Sequence, residues 1–473
     1  MSTREVGPPD LPATGPSPRL TRGLPGSPPA PPVRVVHLGV GNFHRAHQAW
    51  YTAHASDAGD WGIAAFTGRS SGVADALGPQ DGLYTLVTRS ADGDAFEVVG
   101  SLSEVRAAAE HDRLLELLGR PEVVLVTITV TERGYVLDAD NHLDAADERV
   151  QADAAALRAD PRAAVTSMPA RLVAGLGARR DAGAGAITVL SCDNLPDNGS
   201  LTRAVVVGFA ELVDETLASW IDEHVEFATS MVDRITPATT DGDRRLVEHT
   251  QGYVDADPVP TEPFSEWVVS GSFAAGRPRW ESAGATLVDD VTPFEQRKLW
   301  LLNGSHSLLA YAASVRGHAT VDEAVADPTC RAWVEQLWDE ACRHLTLPPT
   351  ELAAYRSALL ERFGNARVQH RLAQIAADGS SKLGVRVLAV LRAERAAGRV
   401  PTGCATALAG WVLHLRGVGV PVRDAGADRA RAAAAVEDLE AAVTGVLETL
   451  GPDLGSDTAL VDAVTAQAYA LRS

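Results

Sequence analysis

Cysteine is scarce in this sequence: four among 473 residues, Cys192, Cys330, Cys342 and Cys404, with no CxxC pair. Such spacing supports neither a structural zinc site nor a disulfide framework, and it suits a reducing compartment. Long apolar runs are missing too; none approaches the ~18–20 residues a membrane span requires. The N-terminus lacks the charged-then-apolar order of a secretory leader, so a cytoplasmic protein without a membrane partner is expected. Positive charge is in deficit, with 42 Lys and Arg against 62 Asp and Glu and a formal charge of −20. That disfavours nucleic acid as a partner, because phosphate binding needs clustered cations. Aromatics make up only 5% of the chain, yet hydrophobic residues reach 45%, the balance of an ordinary globular protein. One core rarely serves such a length, so two domains are expected.

Proline is unevenly spread. Residues 1–32 hold ten of the 27 prolines and few large apolar side chains. The expectation is a disordered tail, since little burial offsets its ordering entropy. Order begins at the β-branched run Val33-Arg-Val-Val-His-Leu38, which stops at Gly39-Val-Gly41. Further strands are predicted at 62–66, 123–130 and 186–190, and a hairpin at 83–88 and 95–99 around Ser-Ala-Asp-Gly-Asp. Residues 144–179 are Ala- and Arg-rich with helical spacing. Strands alternating with helices imply a mostly parallel sheet covered on both faces. After Val291 the strand signals fade, and Ala, Leu, Glu and Arg recur with helical period. The chain is therefore divided into a tail (1–32), an α/β domain (33–290) and a mainly α-helical domain (291–473).

Two features carry chemistry. Gly39-Val-Gly41 after the first strand resembles the start of a dinucleotide-binding turn: one glycine for the bend, another for backbone approach to a pyrophosphate. His44 occupies the third glycine position, so the full GxGxxG is absent. At the end of the second predicted strand stands Thr67-Gly-Arg69 rather than a carboxylate. Taken alone, Arg69 leans towards the 2′-phosphate of NADP, although an arginine there also stacks on adenine. The second feature is Phe294-Glu-Gln-Arg-Lys298-Leu-Trp-Leu-Leu-Asn303-Gly-Ser-His306, an apolar helix carrying three costly polar groups. At ~100° per residue, His306 lies about 80° and Asn303 about 140° round from Lys298, which permits one shared face.

Seven spaced segments then resemble one family. They are His37-Leu-Gly39-Val-Gly41-Asn42-Phe43-His44-Arg-Ala-His47-Gln48, Gln80-Asp-Gly-Leu-Tyr-Thr-Leu86, Thr129-Val-Thr-Glu132-Arg-Gly-Tyr135, Ser191-Cys-Asp193-Asn194-Leu195, Met231-Val-Asp233-Arg234-Ile-Thr-Pro237, the Lys298–His306 stretch and Ala377-Asp378-Gly379-Ser380-Ser-Lys382. Together, across about residues 33–390, they look like the polyol-specific long-chain dehydrogenases, the mannitol dehydrogenase and fructuronate reductase family. The resemblance implies a Rossmann-type cofactor-binding domain followed by a helical substrate domain, and catalysis by a lysine instead of zinc. It makes Lys298 the general base, Asn194 and Asn303 the holders of the reacting oxygen, His306 a substrate contact and Glu295 part of a proton exit route. Gly39, Gly41, Asn42, Phe43 and Arg69 would bind the cofactor. NAD is the expected one, because NAD-using relatives also carry arginine at the Arg69 position; NADP stays open. Gly384 and Trp300 depart from residues common in the family, where a proline and a basic side chain are frequent.

Arg367, His370, Arg371, Lys382 and Arg386 form a local basic cluster in an acidic chain. The spacing of Arg367, His370 and Arg371 predicts one helix face. If that face lines the pocket, His370, Arg371 and Lys382 bind substrate and favour a carboxylate or phosphate. The expected reaction is mannitol/fructose interconversion, with fructuronate reductase or mannitol-1-phosphate dehydrogenase activity as alternatives. A non-catalytic nucleotide-binding protein is the reading from another class. A zinc enzyme built on His37, His44 and His47 is a further rival, and a monomer or small homo-oligomer is expected.

Overall fold

The computed structural model describes residues 17–138, 140–367 and 370–472. Eleven strands lie among them: β1 (Val33–Leu38), β2 (Gly62–Phe66), β3 (Tyr84–Ser90), β4 (Gly93–Val99), β5 (Leu102–Arg106), β6 (Leu125–Ile128), β7 (Ile187–Ser191), β8 (Val225–Asp233), β9 (Val259–Thr261), β10 (Glu266–Ser270) and β11 (Thr286–Leu287). Eight form one sheet in the order β11-β10-β8-β7-β6-β1-β2-β5. From β5 to β8 every pairing is parallel, and β10 then adds antiparallel to β8.

Alternation along β1 shows why this sheet needs cover on both sides. Val36 and Leu38 pack with Ala64, Val126 and Ile187 against helices Glu148–Ala159, Met168–Ala182 and Asn198–Val213. Val35 faces the opposite side with Ile63, Leu125 and the Trp267–Trp280 pair. Successive strand residues point to opposite faces, so a run apolar at every position is buried twice. The order β5-β2-β1-β6-β7-β8 is doubly wound, reversing direction between β1 and β6, where crevices form at the carboxyl ends of the strands.

From Thr292 onward the described residues form helices around a core of their own. Helix Thr402–Leu415 runs through its middle and is buried from Gly403 to Leu415. The predicted hairpin is present as β3 and β4, in register from Tyr84↔Val99 to Ser90↔Gly93.

Two expectations need correction. Residues 1–16 lie outside the described part, but 17–32 do not form a loose tail. Leu20 is 1% exposed, its N–H donates to Val254 O at 2.9 Å, and the Arg22 guanidinium donates to the carbonyls of Pro28, Gly100 and Leu102 at 2.7, 3.0 and 2.8 Å. Prolines with fixed φ lose little entropy on ordering, so a few such anchors suffice. The second correction concerns Arg367, His370 and Arg371. Helix Pro349–Phe363 ends at Gly364, Arg367 lies in a turn, and Arg371 precedes the short helix Leu372–Ile375. They share no helix face.

Candidate active site

Glycine at position 39 is imposed by the fold. Its φ is +102°, and a Cβ there would stand 2.1 Å from Thr129 O on the neighbouring segment. Gly41 differs: a Cβ would meet only Gly39 O, at 3.9 Å. Nothing among the described residues packs against that position, and Gly41 lines the crevice. That crevice is a cavity of about 530 Å³ lined by Gly39, Gly41, Asn42, Phe43, Asn194 and Lys298, among others. Asn42 is fixed as donor to Pro237 O and Thr239 Oγ1, and it accepts from Arg45. An adjoining cavity of about 550 Å³ begins at the same Gly39 and contains Arg69.

Asn194 follows β7, and its neighbour Asp193 braces the loop after β6. Asp193 accepts from the N–H groups of Val130 and Thr131 at 3.1 and 2.7 Å and from Tyr135 Oη at 2.8 Å. Burial pushes its pKa up to about 6, the three donors opposing that shift only in part.

Lys298 enters from the helical half. Its Nζ donates to Asn194 Oδ1 at 2.5 Å and to Val232 O, near the end of β8, at 2.7 Å. A neutral amine has two N–H bonds, and these two acceptors take both, leaving the lone pair free. Burial lowers the Lys298 pKa; Asp233 opposes this and Arg362 assists it. Arg362 also grips Asp233 with two bonds, at 2.7 and 3.0 Å, and binds Glu262 at 2.8 and 3.0 Å. The negative charge nearest Lys298 is thus already shared with a fixed cation.

The helix carrying Lys298 is not a plain α-helix. Residues Lys298–Asn303 form a π-turn in which Gly304 N–H donates to Leu299 O, five residues back. Each residue of a wider turn advances less than 100°, so Asn303 swings nearer to Lys298 than the expected 140°. Trp338 Nε1 pins this stretch by donating to Leu301 O and Ser305 Oγ at 2.9 and 2.7 Å.

Beyond Lys298, three buried polar atoms have no hydrogen-bond partner among the described residues: Asn303 Oδ1, His306 Nε2 and His370 Nδ1. The His306 and His370 rings meet edge to face at 4.8 Å. Burial keeps both imidazoles neutral, with Arg362 and, for His306, also His370 and Arg386 adding to the effect. Glu295 shares a small hollow with Asn194 and Lys298, and burial raises its pKa to about 7.

The basic cluster is dispersed. Arg367 pairs with Asp94 at 2.7 Å on the surface, Arg371 is exposed, and Lys382 Nζ donates to Ala377 O at 2.6 Å. Arg386 is half-buried, holds only Ser307 Oγ at 3.3 Å and has no carboxylate partner among the described residues. His37, His44 and His47 do not converge as ligands. His37 bonds Thr127 and Thr129, His47 bonds Glu266 O and Gln48, and the His44 ring stacks on His37 at 3.3 Å. Among the described residues His318, Asp327 and Cys330 do bring ligand atoms together, but Arg316 already pairs with Asp327. Sequence reasoning missed Arg362 and the carbonyl of Val232. A helix arginine carries no local signal, and a backbone acceptor carries none at all.

A doubly wound sheet, a glycine cradle at its switch point and a buried lysine–asparagine pair beside it define an oxidoreductase acting on a CH–OH group. Family comparison sharpens this. Residues 33–282 match the mannitol dehydrogenase Rossmann domain and residues 290–472 the mannitol dehydrogenase C-terminal domain. An Escherichia coli K12 protein described as uncharacterized oxidoreductase YeiQ is 39% identical over 450 residues, covering 91% of this chain and 90% of its own. The D-mannonate oxidoreductase of the same organism is 38% identical over 395 residues, covering 81% and 80%. The solved mannitol 2-dehydrogenase of Pseudomonas fluorescens, a ternary complex with NAD and D-mannitol, superposes with a TM-score of 0.78 at 34% identity, covering 94% and 92%. The chain belongs to the mannitol dehydrogenase family.

Proposed function

We propose that this protein is an NAD-dependent dehydrogenase interconverting a sugar alcohol and its ketose, of the mannitol/fructose type, with Lys298 as general base. The observation that carries the reading is the Lys298 amine, whose two N–H bonds are both engaged by Asn194 Oδ1 and Val232 O. Its remaining lone pair is free to take a hydroxyl proton. The cofactor fits the residues present: Gly39 makes the bend, and Gly41 leaves space for which the protein itself has no use. Gly39, Gly41, Asn42 and Phe43 would hold the pyrophosphate region, with Arg69 beside the adenosine. A bound nicotinamide would supply the hydride acceptor for oxidation and the hydride donor for reduction.

The residues do the rest. Neutral Lys298 removes the hydroxyl proton as the carbon gives up hydride. Asn194 spends its Oδ1 on Lys298, so its Nδ2 turns to the oxygen on which charge develops, and Asn303 supplies a second amide donor. The proton held on Lys298 leaves by way of Glu295, whose pKa of about 7 suits a relay at neutral pH. Asn303, His306 and His370 offer unpartnered polar atoms to the flanking hydroxyls of a polyol.

A second substrate reading has its own support. Arg386 lacks a carboxylate, and its charge reaches both Lys298 and His306. An aldonate carboxylate, as in mannonate and fructuronate, would pair with it. A phosphate ester would serve the same arginine, which keeps a mannitol-1-phosphate activity among the alternatives. The four unpaired cysteines favour the cytoplasm as the setting. Reduction assays against fructose, fructose 6-phosphate and fructuronate decide the substrate class. Turnover of fructose at least tenfold above the others supports the first reading, and dominance of fructuronate replaces it. Dinucleotide binding without turnover on any of them leaves a nucleotide-binding protein.

A further inference from the structure

The cavity next to the glycine cradle is rich in arginine. Arg69, Arg133, Arg149 and Arg171 line it, with Ser70, Thr166 and Ser167, and no Asp or Glu does. A dinucleotide whose ribose bears free hydroxyls is ordinarily met here by a carboxylate at the end of the second strand. In this chain that strand, β2, ends at Phe66 and continues Thr67-Gly68-Arg69.

Arg171 is the telling residue. It is only 4% exposed, and its guanidinium lies at the end of β2, where Nη1 donates weakly to Thr67 O at 3.3 Å and the plane sits 5.8 Å over the Phe66 ring. Among the described residues its Nε and Nη2 have no partner, nor does the buried Ser167 Oγ on the same wall. A buried guanidinium without a counter-anion is costly, and its burial lowers the Arg171 pKa to about 10 with no neighbouring charge opposing the fall. Arg69 and Arg133 line the same space and hold no ion pair among the described residues; Arg149 is held at the rim by Asp147 at 2.9 Å.

We infer that this cavity binds a phosphate monoester on the adenosine ribose, so that the protein accepts the 2′-phosphorylated dinucleotide NADP(H) alongside NAD(H), with an affinity within tenfold of it. The inference rests on the dinucleotide reading above and adds the group that the second strand's end recognises. Arg171 supplies the fixed fork, Ser167 a hydroxyl donor and Arg69 an exposed cation that closes over the phosphate.

Calorimetric titration of the full chain with NAD+ and NADP+, before and after substitution, tests this. NADP+ binding within tenfold of NAD+, or tighter, supports the inference. Arg69→Asp, at an exposed position, is expected to lower the NADP+/NAD+ affinity ratio by roughly tenfold or more, the worth of one charge-assisted hydrogen bond. Arg171→Met is expected to do the same, and Arg69→Asp keeps the test decisive if the buried variant fails to fold. NAD+ binding with NADP+ more than tenfold weaker overturns the inference and leaves the dinucleotide reading intact. An affinity ratio that Arg69→Asp does not change likewise overturns it. Failure of both dinucleotides to bind overturns the two readings together.

Discussion

Two glycines stand two residues apart in the cradle, and the proposed function gives them opposite duties. Gly39→Ala forces an L-residue to φ +102° and places a methyl 2.1 Å from Thr129 O. Left-handed backbone costs ~1–2 kcal/mol for an L-residue, and overpacking typically adds ~1–3 kcal/mol. The sum, roughly 2–5 kcal/mol, corresponds to a fall in Tm of about 4–20 °C for a domain of this size. Gly41→Ala meets one atom at 3.9 Å, and its backbone at φ −148° is open to any residue. The stability change there should stay within ~1 kcal/mol, because alanine also removes freedom from the unfolded chain. On the proposed reading its methyl would enter the space the dinucleotide fills, so the dissociation constant should rise by about tenfold or more. Circular-dichroism melting of the three proteins, followed by dinucleotide titration, reads both effects. Equal melting losses in the two variants, or a Gly41→Ala protein that binds dinucleotide like the parent, would refute the division of roles.

Asn194→Ala removes an oxyanion donor and one anchor of Lys298; kcat should fall by about 10²–10³ in steady-state assays, and a loss below tenfold would count against the amide. Arg362→Leu strands Asp233 and Glu262 as buried carboxylates, which should cost about 3–5 kcal/mol and lower Tm by roughly 6–20 °C. In the same variant Asp233 is released to hold the Lys298 proton, so the pH profile of oxidation should move upward; a profile that stays put or moves down would break that link. Under the proposed mechanism oxidation in the parent needs neutral Lys298, whose pKa burial lowers from 10.5. Oxidation should therefore rise with pH through that lowered pKa while reduction, which needs the protonated amine, falls over the same window. Parallel profiles for the two directions would exclude a shared acid–base group.

The sheet was readable wherever a strand was buried on both faces, because β1, β2, β6 and β7 are rich in apolar and β-branched residues on both faces. β5, β8, β9, β10 and β11 escaped notice: β9 and β11 have only three and two residues, and Leu-Ser-Glu-Val-Arg, Val-Glu-Phe-Ala-Thr-Ser-Met-Val-Asp and Glu-Trp-Val-Val-Ser are interrupted by polar side chains. Helical spacing predicted Lys298 and His306 on one buried helix, and both are buried on it. It could not predict the π-turn, which depends on packing around Trp338 rather than on local propensity. The basic residues at 367–371 misled for a related reason: equal spacing in sequence means a shared face only where the chain is helical. Arg362 and Arg171 gave no signal, because each acquires its meaning from distant residues, Asp233 for one and the end of β2 for the other.

Lys298 is the residue on which the proposed chemistry depends. Single-turnover hydride transfer, followed by nicotinamide absorbance with dinucleotide binding measured in parallel, tests it in the Lys298→Ala protein. Retained dinucleotide affinity with transfer slowed by roughly 10²–10⁴, and partial rescue by added small amines, is the predicted result. Undiminished transfer in that variant would contradict the assignment of the base and the mechanism built on it.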